Sequence, residues 1–81
     1  MFGARKRTYR ELHVAILRAL KGDKCTIYGI AKKASLHFNV VRHQLILLKG
    51  QDYVNLAFEH NQFRLFEITE KGVKYLRKLT R

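Results

Sequence analysis

Four histidines, one cysteine, one serine and six carboxylates are the side chains in this 81-residue chain on which catalysis could be built. Their spacing argues against it. His13, His37, His43 and His60 lack the short intervals of a metal site, and no cysteine pair accompanies them. These histidines read as surface or helix-edge residues. No two carboxylates fall on adjacent turns of one face, and no glycine-rich loop is present to cradle phosphate. Ser35 sits in an expected turn. The chain therefore reads as a non-enzyme, with no metal and no cofactor. Cys25, the only cysteine, rules out an intrachain disulfide. It reads as a small buried hydrophobe, with an intermolecular disulfide as the alternative.

Charge is the stronger signal. Seventeen Lys+Arg against six Asp+Glu give a net charge of +11. Such a surplus on a small body concentrates polyanions and speeds their capture. Nucleic acid is the commonest partner of that kind, with an anionic membrane surface second. Between Asp23 and Asp52 there is no acidic residue, while Lys24, Lys32, Lys33, Arg42, Lys49 and two histidines fall there. The first residues lack the apolar run of a secretory signal, and no segment is long enough to span a bilayer. An intracellular protein without a membrane partner is the expectation.

Periodicity supplies the elements that would position these charges. Residues 1–7 form a basic arm with Arg5, Lys6 and Arg7, and residues 8–81 form one domain. Tyr9, Leu12, Ile16, Ala19 and Leu20 predict one face of a first helix, with Gly22 as a left-handed stop. Thr26 is an N-cap for a short second helix that buries Ile27, Ile30, Ala31 and Ala34. Gly29 in this helix costs about 1 kcal/mol relative to alanine. That cost is either tolerated or repaid by a close backbone, and tolerance is favoured. After Leu36, a third helix from about 38 to 49 buries Val41, Leu45 and Leu48. Two short helices and a tight turn make a helix-turn-helix.

The period then changes to two. Val54, Leu56 and Phe58 alternate with Tyr53, Asn55 and Ala57 in a half-buried strand. Polar Glu59 to Gln62 predicts a turn, Phe63 to Ile68 a second strand, and Thr69 the cap of a last helix burying Val73, Leu76 and Leu79. The fold class is α+β: three helices, a two-stranded hairpin and a C-terminal helix.

The run Thr26 to Leu36, followed by Val41-Arg42-His43-Gln44-Leu45 and Leu48, resembles winged helix-turn-helix DNA-binding proteins. Tyr53-Val54 looks like their strand after the recognition helix. Phe66-Glu67-Ile68-Thr69-Glu70-Lys71-Gly72 is similar to the strand end and helix start of many archaeal and bacterial members. Small regulators of archaea and their viruses are the nearest likeness. Asp52 departs from the pattern, because the family usually ends its recognition helix there on glycine, and Gly50 comes two residues early.

The resemblance implies that the third helix enters the major groove of double-stranded DNA. Its outward residues Asn39, Val40, Arg42 and His43 are then the base contacts: Arg42 suits guanine, Asn39 adenine, and Val40 a thymine methyl group. Tyr28, Lys32, Lys33 and His37 face the sugar-phosphate backbone. Phe38 is either a core plug or a stack against that backbone. The wing, about 58–64, brings His60, Asn61, Gln62 and Arg64 to the adjacent minor groove, and Arg5, Lys6 and Arg7 are a minor-groove arm or a solvated tail.

The leading expectation is a transcriptional regulator acting as a homodimer. Its interface would draw on Val14 and Leu17 of the first helix or Tyr75 of the last, while Ile46 and Leu47 are apolar outside the expected core. An architectural, weakly specific DNA coater and a protein-interaction module remain as alternatives. RNA has less support, since no exposed aromatic platform is evident in the sequence. No small-molecule ligand is inferred for so small a core.

Overall fold

A computed structural model describes residues 8–81, so the expected arm with Arg5, Lys6 and Arg7 lies outside the described residues. The element order is α1 (Tyr9–Gly22), α2 (Ile27–Ala34), α3 (Phe38–Gly50), β1 (Val54–His60), β2 (Phe63–Ile68) and α4 (Glu70–Leu79).

Each helix starts where a side chain meets its orphan amides. Glu11 N–H donates to Thr8 Oγ1 at 3.2 Å and Thr8 N–H to the Glu11 carboxylate at 2.9 Å, a capping box. Thr26 and Thr69 accept from the N–H groups of Gly29 and Gly72 at 3.1 and 2.9 Å. His37 caps α3, its Nδ1 accepting from Asn39 N–H at 3.1 Å.

The core gathers one stripe from each helix and the base of the hairpin. Ile16, Leu17, Ile30, Val41, Leu48 and Val54 are fully enclosed. Burying a side chain of this size contributes about 1.5–3 kcal/mol. The inner stripe of α1 differs from the expected one. Tyr9 is 67% exposed, and Leu17, expected at a dimer contact, is fully buried. The stripe runs His13, Ile16, Leu17, Leu20, with the usual three-and-four spacing but a polar first member.

That member is satisfied from within. With the Gln44 side-chain oxygen accepting from His13 Nε2–H at 2.9 Å, Nδ1 accepts from the Tyr75 hydroxyl at 2.8 Å. The ring ties α1 to α3 and α4, and Gln44 is buried beside it. Tyr75 stacks on Tyr53, with centroids 4.0 Å apart and planes within 5°. Burial, followed by the neighbouring Tyr53, raises the Tyr75 phenol above its ordinary value, and Arg10 partly offsets this. Tyr75 is thus an internal brace, and Val14 packs against the core. Both are half-buried, unlike the fully enclosed Leu17.

Among the described residues the left-handed positions fall on Ser35, Asp52 and Asn61, and no glycine has positive φ. Gly22 stays helical, and extended Asp23 ends α1 instead. Asp52, at φ 65°, does what the family's glycine does. Its N–H donates to the Lys49 carbonyl and that of Tyr53 to the Leu48 carbonyl, both at 3.0 Å, in a Schellman closure of α3. Aspartate tolerates this conformation better than most side chains. The Thr69 hydroxyl then donates to the Asp52 carbonyl at 2.6 Å and Thr69 N–H to that of Tyr53 at 3.0 Å. The exit of α3 is thereby clamped to the start of α4, which sets where the hairpin begins.

β1 and β2 pair antiparallel from Val54↔Ile68 to His60↔Phe63 around a turn at Asn61-Gln62. A bulge between Leu56 and Phe58 breaks the expected alternation. Phe58, expected inside with Val54 and Leu56, is paired with Leu65 and stands 52% exposed. Cys25 is buried and bridges to Phe66: its N–H donates to the Phe66 carbonyl at 3.0 Å, and Phe66 N–H donates back at 2.8 Å. This short edge pairing ties the α1–α2 connection to the hairpin.

Candidate nucleic-acid interface

The helix-turn-helix is α2, the left-handed Ser35, half-buried Leu36 and α3. Leu36 N–H donates to the Ala31 carbonyl at 3.0 Å, closing α2 before the chain turns. Tyr28, Lys32 and Lys33 are exposed on α2 and Asn39, Arg42, His43 and Ile46 on α3, while Val40 is half-buried. Among the described residues no hydrogen bond or ion pair engages the side chains of Asn39, Arg42 or His43, and the nearest acids in sequence are Asp23 and Asp52. A helix face of free donors without carboxylates suits the acceptor-rich edges and phosphates of nucleic acid. His37 is committed through Nδ1 to the α3 cap, which leaves Nε2 for an outside partner.

The hairpin stands beside α3. A groove of 390 Å³ runs between them, lined among others by Arg42, Ile46, Lys49, Leu56, Glu59 and Arg64. His60, Asn61 and Gln62 are exposed at the tip. Arg64 is not a free cation: its Nε–H donates to its cross-strand partner Glu59 at 2.9 Å. A two-residue turn makes this pairing, and the sequence holds its signal once the turn is placed at Asn61-Gln62.

Cations are not confined to the helix-turn-helix, because α1 and α4 expose Arg10, Arg18, Lys71, Lys74 and Lys78. Aromatic rings are also exposed on the helix-turn-helix and the wing. Tyr28 and Phe38 pack together at 5.3 Å, and Phe58 meets Phe63 edge-on at 6.0 Å. Phe38 is 37% exposed and so is not a core plug. The sequence shows no exposed aromatic platform, whereas the structure exposes these rings, Phe58 because the bulge moves it out of the core register. Among the described residues no group of histidine, cysteine and carboxylate side chains is arranged to hold a metal ion. No described helix is long and apolar enough to cross a membrane.

A three-helix core with an antiparallel hairpin beside the last of the three, closed by a fourth helix, defines a winged-helix domain. The winged helix-turn-helix family model matches residues 6–81, and the chain belongs to that family. Among solved structures it is similar to Sso10a-2, a DNA-binding protein from Sulfolobus solfataricus, at 28% identity and a TM-score of 0.82, over 91% of this chain and 76% of that one. It is similar to a MarR family regulator from Neisseria meningitidis at 28% identity and a TM-score of 0.68, over 91% of this chain. ZitR from Lactococcus lactis shares the fold at 24% identity and a TM-score of 0.75, over 89% of this chain. The chain spans 53% and 56% of the length of these last two. No curated protein matches it.

Proposed function

We propose that the protein is a DNA-binding transcriptional regulator that docks α3 in the major groove of double-stranded DNA. One observation carries this reading: the unpartnered Asn39, Arg42 and His43 on the carboxylate-free outer face of α3. Arg42 is assigned to a guanine edge and Asn39 to adenine, with His43 and Val40 beside them. Tyr28, Lys32, Lys33 and His37 hold the backbone, and the wing tip, His60 to Gln62 with Arg64, reaches the adjacent minor groove. The likeness to a DNA-binding protein and to a MarR family regulator supports this reading. Action on DNA places the protein inside the cell.

Selection of bound sequences from a random duplex pool tests the proposal. A preferred site is expected, and Arg42→Ala should weaken it by about 5- to 150-fold while relaxing one base position. If random duplex competes as well as the best selected site, the protein coats DNA without reading it. A homodimer is part of the proposal, because paired half-sites need paired recognition helices. With Leu17 fully buried, exposed Leu47 and Tyr9, which share a groove with half-buried Tyr75, and half-buried Val14 are the apolar contacts assigned to it. A monomer in sedimentation at micromolar concentration, with and without DNA, would remove that part.

A further inference from the structure

Four of the seven large hydrophobic side chains exposed among the described residues are the rings of Tyr28, Phe38, Phe58 and Phe63, at 77%, 37%, 52% and 50%. Single exposed apolar residues need no explanation, but rings clustered along one charged groove do. Tyr28, Phe38, Arg42, Gln62, Phe63 and Arg64 are among the residues lining a groove of 650 Å³ that runs from the start of α3 to the wing tip, and Phe58 packs on Phe63 at its end. That volume lies within the roughly 300–1,000 Å³ of ligand sites.

A duplex gives the faces of these rings little to bind, and only the Tyr28 hydroxyl can meet its backbone. Its backbone offers phosphate and sugar, and its bases hide their faces in the stack. An unpaired strand exposes those faces, and stacking them on aromatic side chains beside cations is the general chemistry of single-strand recognition. We propose that this groove binds an unpaired DNA strand, its bases stacking on Phe38, Tyr28 and Phe63 and its phosphates held by Arg42 and the neighbouring Lys32 and Lys33. Arg64, paired with Glu59, also lines the groove. The choice of DNA over RNA rests on the duplex reading of α3. Because Arg42 serves both sites, strand and duplex exclude one another.

The experiment compares four fluorescein-labelled probes by anisotropy at fixed salt: a 15-nucleotide oligothymidine, the same backbone without bases, oligouridine and a 15-base-pair duplex. The full chain is used, with Phe38→Ala, Phe63→Ala, the ring-preserving Phe38→Tyr, and thermal melts to confirm folding. Oligothymidine is expected to bind more tightly than the base-free strand and than oligouridine. Each alanine variant should weaken oligothymidine by about 5- to 150-fold while leaving duplex affinity within twofold, and Phe38→Tyr should restore it. Equal binding of oligothymidine and the base-free strand overturns the proposal, and so does tighter oligouridine binding. Parallel loss of duplex affinity in the alanine variants assigns the rings to the duplex and overturns it as well. Failure of the duplex reading shows separately, as duplex affinity unchanged by Arg42→Glu.

Discussion

Replacing Gly72 with alanine, and separately Gly29 with alanine, makes the same chemical change in two helices and should move stability in opposite directions. Alanine is favoured over glycine in a helix by about 1 kcal/mol, because it loses less backbone entropy on folding. At Gly29 the added methyl would meet Cys25 Cβ at 3.4 Å and Thr26 Oγ1 at 3.5 Å, ordinary contact distances, so the gain of up to about 1 kcal/mol is realised. At Gly72 the methyl would collide with the Tyr53 carbonyl oxygen and lie 2.8 Å from Ile68 Cγ1. That carbonyl cannot easily withdraw, since it accepts from Thr69 N–H at 3.0 Å and belongs to the residue stacked on Tyr75. Overpacking of this kind costs about 1–3 kcal/mol and a strained hydrogen bond about 1 more. After subtracting the helix gain, the net loss is about 1–3 kcal/mol. For a domain of this size each kcal/mol moves the melting temperature by about 4–8 °C. Circular dichroism melts should therefore show Gly72→Ala lower by about 5–20 °C and Gly29→Ala higher by up to about 8 °C. A Gly72→Ala variant melting at or above the parent would refute the close packing of α4 on the exit of α3.

Asp52→Gly should raise the urea midpoint, with a gain of about 0.5–1 kcal/mol, because it relieves a left-handed side chain while the backbone bonds to Lys49 and from Thr69 remain. Gln44→Ala strips the acceptor from His13 Nε2–H and should cost about 1–3 kcal/mol. In a double-mutant cycle with His13→Ala the two losses should fail to add by at least about 0.5 kcal/mol, and full additivity would contradict the bond. The raised Tyr75 phenol makes the folded state favour the neutral hydroxyl. Its stabilisation is fully present below the ordinary tyrosine value of 10.0 and is lost as pH rises from there through the folded value. Stability followed by denaturation from pH 8 to 11 should show this loss, and Tyr75→Phe should remove that part of it.

Element order and the caps at Thr26 and Thr69 were legible because they rest on local rules: apolar spacing and hydroxyl capping. What was not legible depended on pairs distant in sequence. His13 and Gln44 each look like surface residues, and only their mutual bond lets both occupy inner positions. Their concealment shifted the apparent face of α1, which put Leu17 outside and Tyr9 inside. The bulge near Ala57 likewise has no local marker, so Phe58 read as core. Asp52 looked like a flaw in the turn, although an aspartate can hold the left-handed conformation that the turn requires. The candidate contacts on α3 were readable as outward positions from helical period alone. Arg64 was readable as basic, but its engagement by Glu59 depended on hairpin register.

The account rests on α3 and the wing, rather than the α1–α4 side, which is also cationic, meeting DNA. Amide chemical-shift mapping of the isotope-labelled protein titrated with a duplex carrying its selected site decides between the two faces. The expected result is that the largest changes fall on His37, Asn39, Val40, Arg42 and His43, on Tyr28, Lys32 and Lys33, and on His60, Asn61, Gln62 and Arg64. Changes concentrated instead on Arg10, Arg18, Lys74 and Lys78, with α3 undisturbed, would contradict the assignment of the interface.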